Sequence, residues 1–151
     1  MSQQEIIIQM MQEYGHTGFH TGPVSENRIE QIEKSLIVEL PESYKWFVRN
    51  YGYGGIEGVV IEGVAKTEVP TTVEATEDYR KYGLPKSYVV IQNLGEYMWC
   101  LDTGKIKNGE CPVVNWSQVG GLGKLNYESF YSYLIDCFQE SIDNLDDDDG
   151  I

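Results

Sequence analysis

Three cysteines and two histidines are the residues that could carry nucleophilic or metal chemistry: Cys100, Cys111, Cys137, His16 and His20. A thiol attacks as its thiolate, beside a base that takes its proton. The ingredients are present, but their spacing singles out no pair. No C-x-x-C occurs, and His16 and His20 flank Thr17-Gly18, whereas a Cys/His zinc site needs ligands at paired spacing. An odd, sparse set of cysteines is also no disulfide framework. Cys100 and Cys137 sit among apolar neighbours and read as small core residues; Cys111 reads as the more exposed one. Carboxylates number 24, yet glycosidase chemistry needs two held ~5–9 Å apart across a cleft, and no spacing selects two. The chain therefore reads as a non-enzyme, with no catalytic residue, no metal ligand and no cofactor assigned.

The glycine runs do not add a phosphate site. Tyr51-Gly52-Tyr53-Gly54-Gly55 lacks the G-x-x-x-x-G-K-[ST] pattern and any following lysine, so a helix-ending turn is the better account. Gly120-Gly121-Leu122-Gly123-Lys124 is followed by Leu125, not Ser or Thr, and reads as a flexible loop.

Charge narrows the partners. The formal net charge is −13, from 24 acids and 11 bases. Nucleic-acid binding needs Lys and Arg against phosphate, and docking on anionic lipid needs the same, so neither partner is expected. From charge alone, solubility is the favoured account of the excess, and a cationic protein partner is the functional alternative. No apolar run approaches the ~20 residues of a membrane helix. The N-terminus Met1-Ser2-Gln3-Gln4-Glu5 lacks a signal-like pattern, so a cytoplasmic location is expected.

The elements that would position any site follow from periodicity. Gln4 to Tyr14 reads as a short amphipathic helix ended by Gly15, with a loop over His16–Gly22. Ser25 is the N-cap of a second helix whose Ile29, Ile32 and Leu36 share a face. Pro41 cannot continue that helix but can open the next at its first position. Tyr44, Phe47, Val48 and Tyr51 then fall on one side, and Gly52, Gly54 and Gly55 allow a sharp exit. Ile56–Val64 is strand-like, and Thr72–Tyr82 could hold a short helix closed by Gly83. Strands are expected over Tyr88–Ile91, Tyr97–Asp102 and Pro112–Trp116, with a turn at Asn93–Glu96 and a tight turn at Asn108-Gly109. A last helix is expected from Tyr127 to near Asn144 with Asn126 as N-cap and Phe130, Leu134, Cys137 and Phe138 inward. The run Asp146–Asp149 reads as solvated. Trp46, Trp99 and Trp116 read as core; Tyr51, Tyr53 and Tyr97, beside glycines, read as candidate exposed anchors.

The sum is one α+β domain: an antiparallel β-meander sheet packed against N-terminal helices and a C-terminal helix. It divides into an N-terminal helix and loop (1–22), a core (23–144) and an acidic tail (145–151). Helices would cover one face of the sheet and leave the other face, or its rim, for a partner.

The order helix, Leu40-Pro41, aromatic helix, glycine pair is more specific than its parts. Ile29, Ile32, Glu33, Leu40, Pro41, Tyr44, Phe47, Gly54 and Gly55 fit a run that resembles the start of the SUKH superfamily, the Smi/Knr-type domain common among bacterial immunity proteins. The later strand segments, and a last helix opening near Ser129-Phe130, match that family's order from roughly residue 24 to 142. The resemblance implies a binding module that blocks a cognate toxin domain, often a nuclease, without chemistry of its own. Its alternative is a non-catalytic regulator or scaffold of the cell-wall-regulator type. Interaction residues vary within the family, so none is carried over. The candidates for partner contact are the acids near the sheet, Glu57, Glu62, Glu68, Glu96 and Asp102, supported by Tyr53 and Tyr97.

Overall fold

The computed structural model describes residues 1–149, with side chains to residue 145. Gly150 and Ile151, the end of the expected acidic tail, lie outside the described residues. The helices are α1 (Gln3–Tyr14), α2 (Glu26–Leu36), α3 (Glu42–Tyr51), α4 (Thr71–Arg80) and α5 (Phe130–Asp149). Two short strands, β1 (Phe19–His20) and β2 (Gly54–Gly55), pair antiparallel. The main sheet is an antiparallel meander in the order β3 (Tyr88–Asn93), β4 (Met98–Asp102), β5 (Val113–Ser117) and β6 (Gly121–Tyr127).

The helical unit follows its periodicity. Ile29, Ile32 and Leu36 of α2 and Tyr44, Phe47 and Val48 of α3 are all buried. Ser25 and Pro41 both occupy cap positions in extended conformation, so α3 opens at Glu42, one residue later than expected. Pro41 offers no side-chain cap, and the β4–β5 connection supplies one. The Glu42 N–H donates to the Gly109 carbonyl at 2.8 Å. The Glu110 carboxylate accepts from the Ser43 N–H at 3.0 Å and the Ser43 hydroxyl at 2.6 Å. The orphan donors of the helix start are thus satisfied from across the fold. The turn that delivers Glu110 is the expected Asn108-Gly109, both residues at positive φ (54° and 78°).

Side-chain alternation along the sheet separates two apolar layers. Val89, Ile91, Trp99, Leu101 and Val113 join the main core with α1, α2, α3 and α5. Tyr88, Val90, Met98, Cys100, Val114 and Trp116 face the opposite way, where Leu84 and α4 residues Ala75 and Tyr79 cover them. This corrects the expectation of one bare sheet face. Helix α4 closes the second face, held to β3 by Thr72 Oγ1 donating to the Val90 carbonyl (2.6 Å) and the Val90 N–H donating to Thr76 Oγ1 (2.9 Å).

Three further expectations are corrected. Ile56–Val64 is not a strand: its backbone donors are divided among different segments, Ile61 to Gly54, Glu62 to Ile91 and Val64 to Gly52. Gly121–Tyr127 is not a flexible loop but the edge strand β6, ordered by its ladder to β5. The last helix opens at Phe130 behind Ser129, whose side chain accepts from the Ser132 N–H at 3.3 Å, and it continues through Asp149 rather than ending near Asn144.

Candidate functional site

Tyr97 before β4, Trp99 within it, Tyr127 at the end of β6 and Tyr133 of α5 form one aromatic cluster. Tyr97 packs edge-to-face on Trp99 (centroids 6.5 Å apart), and Trp99 lies 5.5 Å from both Tyr127 and Tyr133. A groove of about 610 Å³ is lined by Tyr97, Trp99 and Tyr127 of this cluster and by helix α5. Glu57 and Glu140 stand at its polar margin, and Leu94, Leu125 and Leu145 at its apolar one. No basic residue lines it among the described residues. Gln92 is buried beside the cluster, accepting from the Tyr133 hydroxyl and lying 3.8 Å from the Cys137 thiol. Asp136, four residues before Glu140, accepts from the Tyr127 hydroxyl, tying α5 to β6. Burial, followed by that carboxylate, pushes the Tyr127 hydroxyl well above its usual range, so Tyr127 acts here as a neutral donor.

The candidate residues do not share this groove. Glu57 and Tyr97 line it, and Glu96 is exposed on the hairpin next to Tyr97. Glu62 lies in a separate depression with Thr71, Glu74, Asp78 and Tyr79. Burial raises the Glu62 carboxyl above its ordinary range; the Thr71 side chain opposes this and the charge of Glu74 adds to it. Tyr53 is half-buried against Phe19 (5.4 Å), its hydroxyl raised by burial and by the Glu62 charge. Glu68 is exposed on a loop whose carbonyl accepts from the Gln31 side chain, away from both hollows. Asp102 is buried at 5% exposure, 4.0 Å from Lys105, so it presents no carboxylate to a partner.

The family model described as SMI1-KNR4 cell-wall, SUKH_5, matches residues 4–139. The chain belongs to the SUKH family. A crystal structure of a protein from Pseudomonas syringae pv. tomato shares the SUKH chain's fold, with a TM-score of 0.66 at 18% identity over 85% of this chain and 92% of that one. In this SUKH chain the glycine pair that carried the resemblance is a backbone crossing: β2 passes so close to β1 that a Cβ on Gly54 would sit 2.0 Å from the Phe19 carbonyl oxygen.

The thiols of the SUKH domain are placed against nucleophilic use. Burial drives the Cys100 thiol far up, Cys111 to about 12 and Cys137 to about 11, opposite to the lowered value an attacking cysteine needs. Cys111 is buried and Cys137 only half-buried, reversing the exposure expected of them. What the groove exposes is Tyr97 and part of Tyr127, over a largely buried Trp99, with the carboxylates of Glu57 and Glu140 in its lining. Residues missed in the sequence are Asp136, Glu140, Leu94 and Leu125. Asp136, Glu140 and Asp143 recur at i, i+4 and i+7, all exposed, a signal that was legible beside the inward stripe of the same helix.

Proposed function

We propose that this SUKH chain is an immunity protein that binds and occludes a cationic toxin domain, a nuclease being the class whose basic substrate groove suits it. The observation behind this is the aromatic groove margined by Glu57 and Glu140 on a chain of net charge −13. A basic surface built for phosphate meets carboxylates in place of its substrate, and no bond is made or broken. A tight complex of this kind buries roughly 1,600 Å² in total, with a few aromatic anchors carrying most of the affinity. The experiment is binding and growth rescue with the toxin domain encoded by the neighbouring gene. Complex formation with loss of toxicity supports the reading; absence of both refutes it for that pair. The SMI1-KNR4 cell-wall description of the matched family favours a second reading, a non-catalytic regulator or scaffold, in which a partner would bind without losing its activity.

A further inference from the structure

The two edges of the main sheet are treated differently. At β3 the edge is filled from within the chain. The Glu62 N–H donates to the Ile91 carbonyl at 2.7 Å, and Thr72 and Thr76 take both backbone groups of Val90. At β6 nothing takes that place. Among the described residues its backbone makes no hydrogen bond beyond the ladder to β5. The protections of β6 as an edge are limited to Lys124 and a register shift that sets Gly123–Leu125 opposite Asn115, with no proline over seven residues. Two of its side chains are apolar and outward, Leu122 at 60% and Leu125 at 66% exposure, beside the exposed Lys124 and Asn126, and Val119 two residues before it is fully exposed.

We propose that the free edge of β6 accepts an extended segment of the protein partner as a fifth strand, one that alternates basic with apolar residues. This deepens the immunity reading and rests on it, since it names how the cationic partner is held. Strand addition draws its affinity from main-chain hydrogen bonds and its selectivity from alternate side chains. Here alternate positions fall into the groove, because Leu125 and Tyr127 both point there. Side chains of the added strand on that side meet the acids of α5. Asp136 is bonded to Tyr127 of β6, and Glu140 lines the same groove as Leu125. Lysine or arginine there, with the alternate apolar residues packing on Leu122 across the sheet, matches both chemistries. A second copy of the chain is the poorer occupant, since it would set two molecules of charge −13 edge to edge.

The test is amide hydrogen exchange on the isotope-labelled full chain with two probes, the neighbouring-gene toxin domain and a short peptide alternating lysine and valine. A peptide alternating glutamate and valine is the control. Both probes are expected to slow exchange at the outward amides of β6 by roughly tenfold or more, while the control leaves them unchanged. The double variant Leu122→Lys with Leu125→Lys, both exposed and so compatible with the fold, is expected to weaken toxin binding by about tenfold or more at unchanged thermal unfolding. Toxin binding that leaves β6 exchange and the double variant's affinity unchanged overturns the strand-addition proposal while sparing the immunity reading. Protection by the lysine–valine peptide without toxin binding does the reverse. Self-association that protects β6 makes a second copy the occupant and overturns the proposal.

Discussion

Replacing Gly54 by alanine is expected to unfold the β1–β2 crossing at a cost that Gly58→Ala does not share. Both glycines have positive φ, 120° and 76°, so both substitutions carry backbone strain, about 1–2 kcal/mol near the left-handed region at Gly58 and about 1–3 kcal/mol at Gly54, reduced by the stiffer unfolded chain by about 0.4–1 kcal/mol. Around Gly58 a new Cβ meets nothing within 4 Å, so Gly58→Ala should cost about 1 kcal/mol. At Gly54 the Cβ would meet the Phe19 carbonyl oxygen at 2.0 Å and its carbon at 2.9 Å. Neither is the end of a flexible side chain, so β1 and β2 must part. Parting them threatens the pair of hydrogen bonds between Gly54 and Ile61 (3.1 and 3.0 Å), each worth about 1 kcal/mol net. The total for Gly54→Ala is then about 3–4 kcal/mol, a large share of the ~5–15 kcal/mol of a domain. Urea unfolding at constant slope measures both variants. Equal losses, within about 0.5 kcal/mol of each other, would refute the backbone-crossing account of the glycine pair.

Further outcomes follow from the same geometry. Glu110→Ala removes both acceptors of Ser43 and should lower stability by about 2–3 kcal/mol, with Ser43→Ala costing less because the backbone bond survives, as a denaturation series will show. Ile37 ends α2 in the left-handed region (φ 56°, ψ 55°) at 90% exposure; Ile37→Gly relieves that strain and should raise stability by about 0.5–1 kcal/mol in thermal unfolding. Glu62 has a carboxyl raised by burial above its ordinary 4.5, so the fold favours its protonated form. Its stabilising contribution is present below that ordinary value and lost as pH rises through the raised one. Glu62→Gln should therefore be more stable than the native chain near pH 7, with the gap closing at about pH 4 and below when unfolding is compared across pH.

The parts legible in the sequence are those whose order is local. Ile29, Ile32 and Leu36 specify a helical face within one element, and Asn108-Gly109 specifies a turn by the positive φ both residues adopt. The parts missed depend on distant partners. Gly121–Tyr127 carries two glycines, a lysine and an asparagine, poor strand formers, and becomes β6 because β5 offers it a ladder. Ile56–Val64 has β-branched residues in plenty but spends its backbone bonds on three other segments. The candidate acids lie near strands in the chain, yet they do not form one surface. Their distribution between the groove, the Glu62 depression, the Glu68 loop and the buried position of Asp102 is set by how α4 and α5 close on opposite faces of the sheet.

The central claim is that carboxylates around the aromatic groove draw in and hold a cationic protein. The most direct measurement is the association rate of the toxin domain, followed by stopped flow across ionic strength, for the native chain and for a variant carrying Glu57→Lys, Glu96→Lys and Glu140→Lys. All three side chains are exposed, so the fold is expected to survive. Electrostatic steering predicts a rate lowered by about 10- to 100-fold at low salt, with a flattened salt dependence. A native rate that does not change with salt, or a variant that associates as fast as the native chain, would contradict it.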